Sequence, residues 1–231
     1  MTTELYLIRH GESVANVEPI IGGMRGDSGL TARGREQAAR LAARLAAGEI
    51  RADALYTSTL PRAVETAEYV GRALGLTPLP DDEWHELRPG EADGASVEEW
   101  RARYGGREFE TATDPYRPFA PGGESWATFL LRVGRALSRV VARHRGETVA
   151  VVCHGGVLEA AFYHAFGLGP TANRVSFAPL NTSITHWRHH PAEEGGAPRW
   201  ALVAFNDAAH LRPAEAEAPR EAVPTPAAEE D

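Results

Sequence analysis

The chain has 231 residues, enough for one large domain or two small ones. Hydrophobic residues make up 43% and charged residues 24% of the chain, which is typical of a globular protein and excludes a collagen-like or wholly disordered one. The formal net charge is −8, and all 24 basic residues are arginine. The acidic balance argues against a nucleic-acid-binding protein, and the absence of lysine excludes a Walker-type phosphate loop and a lysine Schiff base.

Cysteine content and the N-terminal sequence bear on the compartment. Cys153 is the single cysteine, so the chain cannot form an internal disulfide and suits a reducing environment. Residues 1–10 contain a short apolar run without the basic flank and cleavage site of a signal peptide. No stretch approaches the roughly 18 uninterrupted apolar residues of a spanning helix. We therefore expect a cytoplasmic protein without a membrane partner.

The last twenty residues, 212–231, differ in composition from the rest of the chain. They hold four prolines, six acidic residues and two arginines, and Val223 is their single bulky apolar residue. Such a segment cannot bury enough apolar surface to offset the entropy of ordering it. We predict a disordered acidic tail that follows a single catalytic domain over residues 1–211.

Short β-favouring apolar runs predict five strands in that domain. The predicted strands cover residues 4–8, 53–57, 148–153, 183–189 and 200–205. The first and third of these runs are almost wholly apolar, as in strands that are buried on both faces. The last two strands are predicted to be joined through a turn region at Gly195 and Gly196.

Helical patterns lie between the first strands. The predicted helices cover residues 31–47, 61–74, 124–144 and 155–166. The third is the clearest, with apolar residues at steps of three and four, and Pro61 suits the start of the second. The alternation of strand and helix predicts a three-layer α/β/α fold with a mostly parallel central sheet. In such folds the functional site lies at the carboxyl ends of the strands.

Two of the predicted strands end in a histidine that is followed at once by glycine. His10 and Gly11 follow the first strand, and His154 and Gly155 follow the third. A junction of strand, glycine and helix exposes backbone N–H groups at a helix start, which suits an anion. The carboxyl end of the sheet is therefore predicted to bring two imidazoles to one anion-binding site.

Two arginines are predicted to join these histidines. Arg9 precedes His10, and Arg62 lies in the first turn of the helix after the second strand. Guanidinium groups match phosphate oxygens in pairs and keep their charge at any physiological pH. Positive charge nearby favours the neutral form of an imidazole, which is nucleophilic. The residues thus predict a phosphoryl-binding pocket with a histidine available for attack.

This pattern resembles the histidine phosphatase superfamily, in its phosphoglycerate mutase-like branch. The run Arg9-His10-Gly11 and the later His154-Gly155 carry the resemblance. Further segments match the family in the expected order, at residues 26–38, 58–67, 121–125 and 206–210. The resemblance covers residues 4–211 and implies a phosphoglycerate mutase-like fold.

The resemblance also implies roles for individual residues. His10 would be the nucleophile that is transiently phosphorylated, while Arg9, Arg62 and His154 would stabilise the phosphoryl oxygens. The substrate-binding residues implied are Arg9, Asn16, Arg62, His154 and Gly155, with Asn16 near the rim. No metal or other cofactor is implied, because the arginines and the histidine stabilise the charge of the transferring group.

The proton donor for the leaving oxygen has two candidates. The family uses a glutamate in a run that aligns here with Glu86, and Glu83 is the alternative. His85 and Glu86 do not begin a zinc motif, since Pro89 stands where the second histidine of that motif belongs. A cysteine phosphatase is also excluded, because the sixth position after Cys153 is Glu159 and not arginine.

Residues 87–121 are predicted to form an inserted cap over the pocket. Its arginines and aromatic residues are candidates either for contact with an anionic or aromatic substrate or for exposure to solvent: Arg101, Arg103, Arg107, Arg117, Trp100, Tyr104 and Tyr116. Mutases of the family that the chain resembles have a longer cap, with paired arginines that bind the carboxylate of the substrate. The segment here is shorter and has no adjacent arginine pair, so the resemblance implies a phosphatase that hydrolyses small phosphate esters. Phosphoryl transfer of the phosphoglycerate mutase type is one alternative. A non-catalytic phosphate-binding regulatory module is another, since the aromatic residue usual after the acid is missing. The sequence predicts neither the natural substrate nor the oligomeric state.

Overall fold

The computed structural model describes residues 1–104, 114–170, 177–193 and 196–212. Within these ranges six strands form one sheet: β1 Thr3–Arg9, β2 Ala54–Thr57, β3 Leu79–Pro80, β4 Thr148–Cys153, β5 Ile184–His190 and β6 Arg199–Asp207. Their order across the sheet is β3-β2-β4-β1-β5-β6. The first four strands in this order run parallel, and β5 and β6 are antiparallel to their neighbours.

The helices follow the strands as the alternation predicts. They are α1 Val14–Val17, α2 Ala32–Ala46, α3 Pro61–Leu74, α4 Val97–Tyr104, α5 Trp126–Arg143 and α6 Gly155–Phe166. Pro61 occupies the first turn of α3, where its missing N–H costs nothing, and Ser125 begins α5 with a capping box. Short 3₁₀ turns lie at Asp82–Trp84, Gly90–Ala92 and Ala209–Leu211.

Alternate side chains of the central strands face opposite layers. Leu5 and Leu7 of β1 join the apolar cluster formed with α5 and α6, whereas Ile8 joins the cluster formed with α2 and α3. Val151 and Val152 of β4 divide in the same way. Because the central strands are apolar on both faces, helices cover both, and the prediction of a three-layer α/β/α fold is confirmed.

The predicted strands and helices are all present, with ends that differ by no more than two residues. The sequence did not indicate α1, which has four residues, β3, which has two, or α4, whose apolar pattern is weak. Gly195 of the predicted turn lies outside the described residues, as do residues 213–231 of the predicted tail. The domain boundaries and the disordered tail therefore stay predictions. No helix in the described part of the chain is long and apolar enough to cross a membrane.

The segment predicted as the cap has a small apolar core of its own in the described residues. Trp100 stacks on Phe119 with ring centroids 4.6 Å apart, and its indole N–H donates to the Phe119 carbonyl. Ala92 and Ala120 complete this cluster. Trp100 was a candidate for contact with substrate, but it is buried in this core and supports the segment instead. Arg107, another candidate, lies outside the described residues.

Candidate active site

The sheet topology brings the two predicted histidines together. β1 and β4 are neighbouring parallel strands in which Arg9 pairs with Cys153, so the next residue of each strand emerges at the same edge. The rings of His10 and His154 have centroids 5.0 Å apart, and both side chains are almost fully buried. The carboxyl end of the sheet thus forms the floor of the candidate site.

The hydrogen bonds of His10 define its tautomer. Its Nδ1 lies 2.6 Å from the carbonyl oxygen of Gly11, which can only accept, so Nδ1 carries the proton. Its Nε2 accepts from Nε of Arg62 at 3.1 Å and therefore holds the lone pair. Burial, followed by the charges of Arg62 and Arg9, lowers the pKa of His10 well below 6.5. The ring is neutral at physiological pH, and its unprotonated Nε2 faces the guanidinium of Arg62.

Arg62 is held by a buried carboxylate that the sequence did not single out. Its Nη1 donates to Oδ2 of Asp27 at 2.8 Å and to the carbonyl of Gly22 at 2.9 Å. Asp27 lies in one of the segments that match the family, but no periodicity or spacing marked it as a partner of an arginine 35 positions later. The guanidinium is consequently fixed from one side while its Nε is directed at His10.

His154 is also neutral and is held by a hydroxyl. Its Nε2 is 2.8 Å from Oγ of Ser58, at the end of β2. Burial, followed by the charge of Arg62, lowers the pKa of His154 well below 6.5. His85 lies nearby with its Nε2 hydrogen-bonded to Oγ1 of Thr59, and burial with the charge of Arg88 lowers its pKa to about 4. Three imidazoles at this edge are therefore uncharged near neutrality.

Arg9 reaches the site from the end of β1. Its Nη1 donates to the carbonyl oxygen of Pro179. A Cβ placed on Gly155 would lie 3.7 Å from Nε of Arg9, so the start of α6 passes directly beside this guanidinium. Arg9 and Gly155 both line the cavity described below. The guanidinium of Arg9 and the N-terminus of α6 thus lie side by side in the wall of the cavity, an arrangement that suits a phosphoryl group.

The structure separates the two candidate proton donors. Oε2 of Glu86 accepts from the backbone N–H of Gly156 at 2.9 Å, and Glu86 lines the cavity. A Cβ on Gly156 would overlap Oε1 of Glu86, so this close approach requires glycine. Glu83 lies on the outer side of the same segment, with its carboxylate 3.9 Å from Arg139. Glu86 is therefore the better placed of the two acids.

The loop after β1 is fastened by side chains of other elements. Nδ2 of Asn181 donates to the carbonyl of His10 at 3.1 Å and to Oδ1 of Asn16 at 3.3 Å. Oδ1 of Asn16 also accepts from the backbone of Ser13. Oγ1 of Thr66 accepts from the backbone N–H of Gly11 at 3.0 Å. These bonds of Asn16 support the loop, and Asn16 is not among the residues that line the cavity.

A cavity of about 480 Å³ opens beside these groups. Arg9, Glu86 and Gly155 line it, whereas His10, Arg62 and His154 are not among its lining residues. Its charged lining residues are Arg9, Glu86, Arg117, Glu124 and Glu159. Apolar side chains, among them Phe119 and Trp126, form much of the remaining wall. Arg117 comes from the predicted cap, whereas Arg101 and Arg103 are exposed on α4. The cavity suits a small organic phosphate, with its anion toward Arg9.

Cys153 and His186, two other residues with reactive side chains, are held by packing and hydrogen bonds. Cys153 is fully buried in the core, and burial raises the pKa of its thiol. His186 stacks on Tyr6 and bonds to Glu4. Among the residues that the structure describes, no three histidine, cysteine or acidic side chains cluster as metal ligands.

Comparison with known proteins agrees with this geometry. A sequence profile of the histidine phosphatase superfamily (branch 1) matches residues 5–207. Phosphoglycerate mutase-like protein 4 of Arabidopsis thaliana is 31% identical over 218 residues, which span 90% of this chain and 86% of the relative. A 2,3-bisphosphoglycerate-dependent phosphoglycerate mutase of Brucella anthropi is 33% identical over 189 residues, spanning 80% of this chain and 90% of the relative.

Solved structures with the same fold include phosphatases. YhfR of Bacillus stearothermophilus superposes with a TM-score of 0.75 at 32% identity, over 90% of this chain and 99% of that chain. A mutant phosphoserine phosphatase of Entamoeba histolytica, in complex with phosphoserine, gives 0.72 at 26% identity over 90% and 99%. Mycobacterial glucosyl-3-phosphoglycerate phosphatase gives 0.72 at 25% identity over 88% and 98%. This chain belongs to the histidine phosphatase superfamily.

Proposed function

We propose that the protein is a metal-independent phosphomonoesterase that hydrolyses small phosphorylated metabolites through a phosphohistidine on His10. The observation that carries this proposal is the state of the His10 ring. Nδ1 is protonated against a carbonyl, and the lone pair of Nε2 lies at the guanidinium of Arg62. A neutral imidazole beside fixed positive charge is equipped to attack the phosphorus of a bound dianion.

The first chemical step forms a bond between Nε2 of His10 and phosphorus and breaks the bond from phosphorus to the leaving oxygen. In this proposal Arg9, Arg62 and His154 stabilise the charge on the phosphoryl oxygens. The leaving oxygen receives a proton from the carboxyl group of Glu86, and the alcohol departs. The role of a positioned acid is to avoid an alkoxide leaving group.

The second step regenerates the enzyme. Water attacks the phosphorus of the phosphohistidine while the carboxylate of Glu86 takes one of its protons. The bond from Nε2 of His10 to phosphorus breaks, and the electron pair returns to the ring. Inorganic phosphate leaves with the remaining proton of the water, and Glu86 is protonated again.

The experiment measures phosphate release from p-nitrophenyl phosphate in excess chelator, with wild type and His10→Ala. Turnover by wild type alone, together with acid-labile labelling of the protein by radioactive substrate, is the expected result. Equal turnover by both proteins would exclude His10 as the nucleophile. Turnover that chelator abolishes would overturn the metal-independent mechanism.

Transfer to another hydroxyl of the same substrate is the second candidate, favoured by the 33% identity to a 2,3-bisphosphoglycerate-dependent phosphoglycerate mutase. The two candidates differ after formation of the phosphohistidine, because a mutase returns the group to its substrate and a phosphatase to water. Incubation with 3-phosphoglycerate distinguishes them. Formation of 2-phosphoglycerate would favour the mutase, and free phosphate the phosphatase. A failure to turn over any phosphate ester that it binds would favour a regulatory binding module.

A further inference from the structure

A bidentate ion pair contacts the segment that carries Glu86, and one of its members, Glu124, also lines the cavity. Arg132 of α5 donates from Nε to Oε1 of Glu124 and from Nη2 to Oε2, both at 2.7 Å. The two side chains are 7% and 14% exposed, so solvent screens this pair little. The fork geometry fixes the guanidinium plane as well as its position.

The same guanidinium binds the backbone of the segment. Its Nη1 donates to the carbonyls of Glu83 at 2.7 Å and His85 at 3.1 Å, and its Nη2 donates to the carbonyl of Glu86 at 3.2 Å. A single side chain therefore fixes three carbonyls within four residues. None of these bonds involves the carboxylate of Glu86, which remains directed toward Gly156.

Glu124 completes the attachment on the other side of Glu86. Its Oε2 accepts from the backbone N–H of Arg88 at 2.9 Å. Burial raises the pKa of Glu124, but the hydrogen bonds from Arg132 and Arg88 outweigh it and bring the pKa below 4.5. The carboxylate stays ionised and keeps both partners at neutral pH. The ion pair thus holds the chain immediately before and after Glu86.

We propose that Glu124 and Arg132 are positioning residues that hold Glu86 at the leaving oxygen. This inference rests on the proposed function, in which Glu86 is the proton donor. Neither residue gives or takes a proton in the reaction. They act by limiting the positions that the carboxyl group of Glu86 can occupy, and proton transfer requires hydrogen-bond contact with the leaving oxygen.

Displacement of the Glu86 carboxyl group should affect substrates differently according to their leaving group, whereas a general loss of stability should affect all substrates alike. Departure of an alkyl alcohol requires a proton, whereas p-nitrophenolate departs without one. The kcat/KM for β-glycerophosphate should therefore fall more than that for p-nitrophenyl phosphate. Because kcat/KM covers the steps up to departure of the alcohol, hydrolysis of the common phosphohistidine does not obscure the difference.

The experiment measures kcat/KM for β-glycerophosphate and for p-nitrophenyl phosphate. The ratio of the first value to the second, the alkyl-to-aryl ratio, is compared in wild type, Arg132→Lys, Glu124→Gln and Glu86→Gln. Lysine keeps the charge at position 132 but cannot form the fork, and glutamine keeps the shape at position 124. The matched control is Arg139→Gln, which removes an exposed arginine of α5 that contacts the same segment through the side chains of Asp81 and Glu83. Circular dichroism and calorimetric titration with inorganic phosphate report the fold and the anion site in each variant.

We expect the alkyl-to-aryl ratio to fall about tenfold or more in Glu86→Gln and in both ion-pair variants, and to stay at the wild-type value in Arg139→Gln. A fall in Glu86→Gln without a fall in the pair variants would overturn the inference and leave the proposed function standing. An unchanged ratio in Glu86→Gln would overturn the role of Glu86 itself. Loss of phosphate binding in both pair variants would assign the pair to the fold as a whole and would also overturn the inference.

Discussion

The carboxylate of Asp27 determines the direction in which the guanidinium of Arg62 points. Its Oδ2 accepts from Nη1 of Arg62 at 2.8 Å and from the backbone N–H of the same residue at 3.2 Å. The two side chains are 0% and 5% exposed. One carboxylate oxygen therefore fixes both ends of the arginine, and Nε is left toward His10.

Replacement of Asp27 by asparagine should affect both stability and catalysis. The amide keeps the shape but leaves the buried charge of Arg62 without its counterion, and we expect a loss of about 3 kcal/mol in the free energy of unfolding. A displaced guanidinium should also lower kcat/KM about tenfold to a hundredfold, equally for alkyl and aryl phosphates. Urea unfolding and steady-state kinetics measure the two effects.

The control for Asp27→Asn is a variant that breaks a solvent-exposed ion pair. Glu36→Gln removes the surface partner of Arg40 on α2, which should cost less than about 1 kcal/mol and leave kcat/KM unchanged. Wild-type kcat/KM in Asp27→Asn would contradict the view that Asp27 orients Arg62.

The pH dependence of the reaction should report the charge around His10. Attack requires the neutral ring, and burial together with Arg62 and Arg9 lowers the pKa of His10 well below 6.5. The wild-type enzyme should therefore lose no activity to His10 protonation as the pH falls from 8 to 6.5. In Arg62→Met the larger of the two nearby charge effects is gone and Asp27 is unpaired, so the pKa of His10 should rise.

The expected result in Arg62→Met is an acidic limb of the kcat/KM profile that moves to higher pH. The plateau should also fall by about a hundredfold, since a donor to the phosphoryl oxygens is lost. Use of one substrate for both enzymes cancels the ionisation of the substrate, and NMR titration of the His10 ring nitrogens measures the pKa directly. An acidic limb at the same pH in both enzymes would contradict the assignment.

The sheet and the histidine pair could be predicted because they depend on local patterns. The apolar runs of β1 and β4 mark strands that are buried on both faces, and two parallel strands place their next residues at one edge. The sequence did not predict Asp27 as a partner of Arg62, or Asn181 as a support for His10. These pairs are 35 and 171 positions apart, and only packing brings them together.

The choice between Glu83 and Glu86 shows the same limit. The two acids are three positions apart in one irregular segment, where neither helical nor strand periodicity indicates the direction of a side chain. Tertiary contacts make the distinction, because Gly156 leaves room for Glu86 and Arg139 lies beside Glu83. Arg132, which holds the segment, appeared in the sequence only as one polar residue of an amphipathic helix.

Buried neutral imidazoles should make the fold sensitive to mild acid. Burial, with nearby arginines, lowers the pKa of both His85 and His210 to about 4. An imidazole in the unfolded chain takes up its proton at about pH 6.5. Between these values the unfolded state binds more protons, so stability should fall as the pH decreases from about 6.5 to about 4. His10 and His154 act in the same direction.

Urea midpoints at pH 7 and pH 5 measure this loss. His210→Gln should reduce the difference between the two midpoints, because glutamine does not titrate and can still bond to Oγ1 of Thr182, which lies 2.9 Å from Nε2 of His210. Because the backbone N–H of Thr182 donates to the carbonyls of Arg9 and His10, kcat/KM of His210→Gln is measured as well, to separate an effect on the fold from one on the site. A difference as large as in wild type would exclude His210 as a contributor.

Gly156→Ala should displace Glu86 without removing it. The new Cβ would overlap Oε1 of Glu86, whose Oε2 accepts from the Gly156 N–H at 2.9 Å. The matched change is Gly155→Ala, one residue earlier in α6, where the Cβ would meet Nε of Arg9 at 3.7 Å in ordinary contact. Alanine favours the helix at both positions, so backbone propensity cannot separate the two variants.

We expect kcat/KM for β-glycerophosphate to fall about tenfold or more beyond that for p-nitrophenyl phosphate in Gly156→Ala. Gly155→Ala should change the two values together and by far less. Equal losses for both substrates in Gly156→Ala would mean that the Cβ disturbs the anion site rather than the acid. The two substitutions add the same atom to the same helical turn. A loss of kcat/KM that is selective for the alkyl phosphate and occurs only in Gly156→Ala would therefore mean that the contact between α6 and Glu86 positions the proton donor.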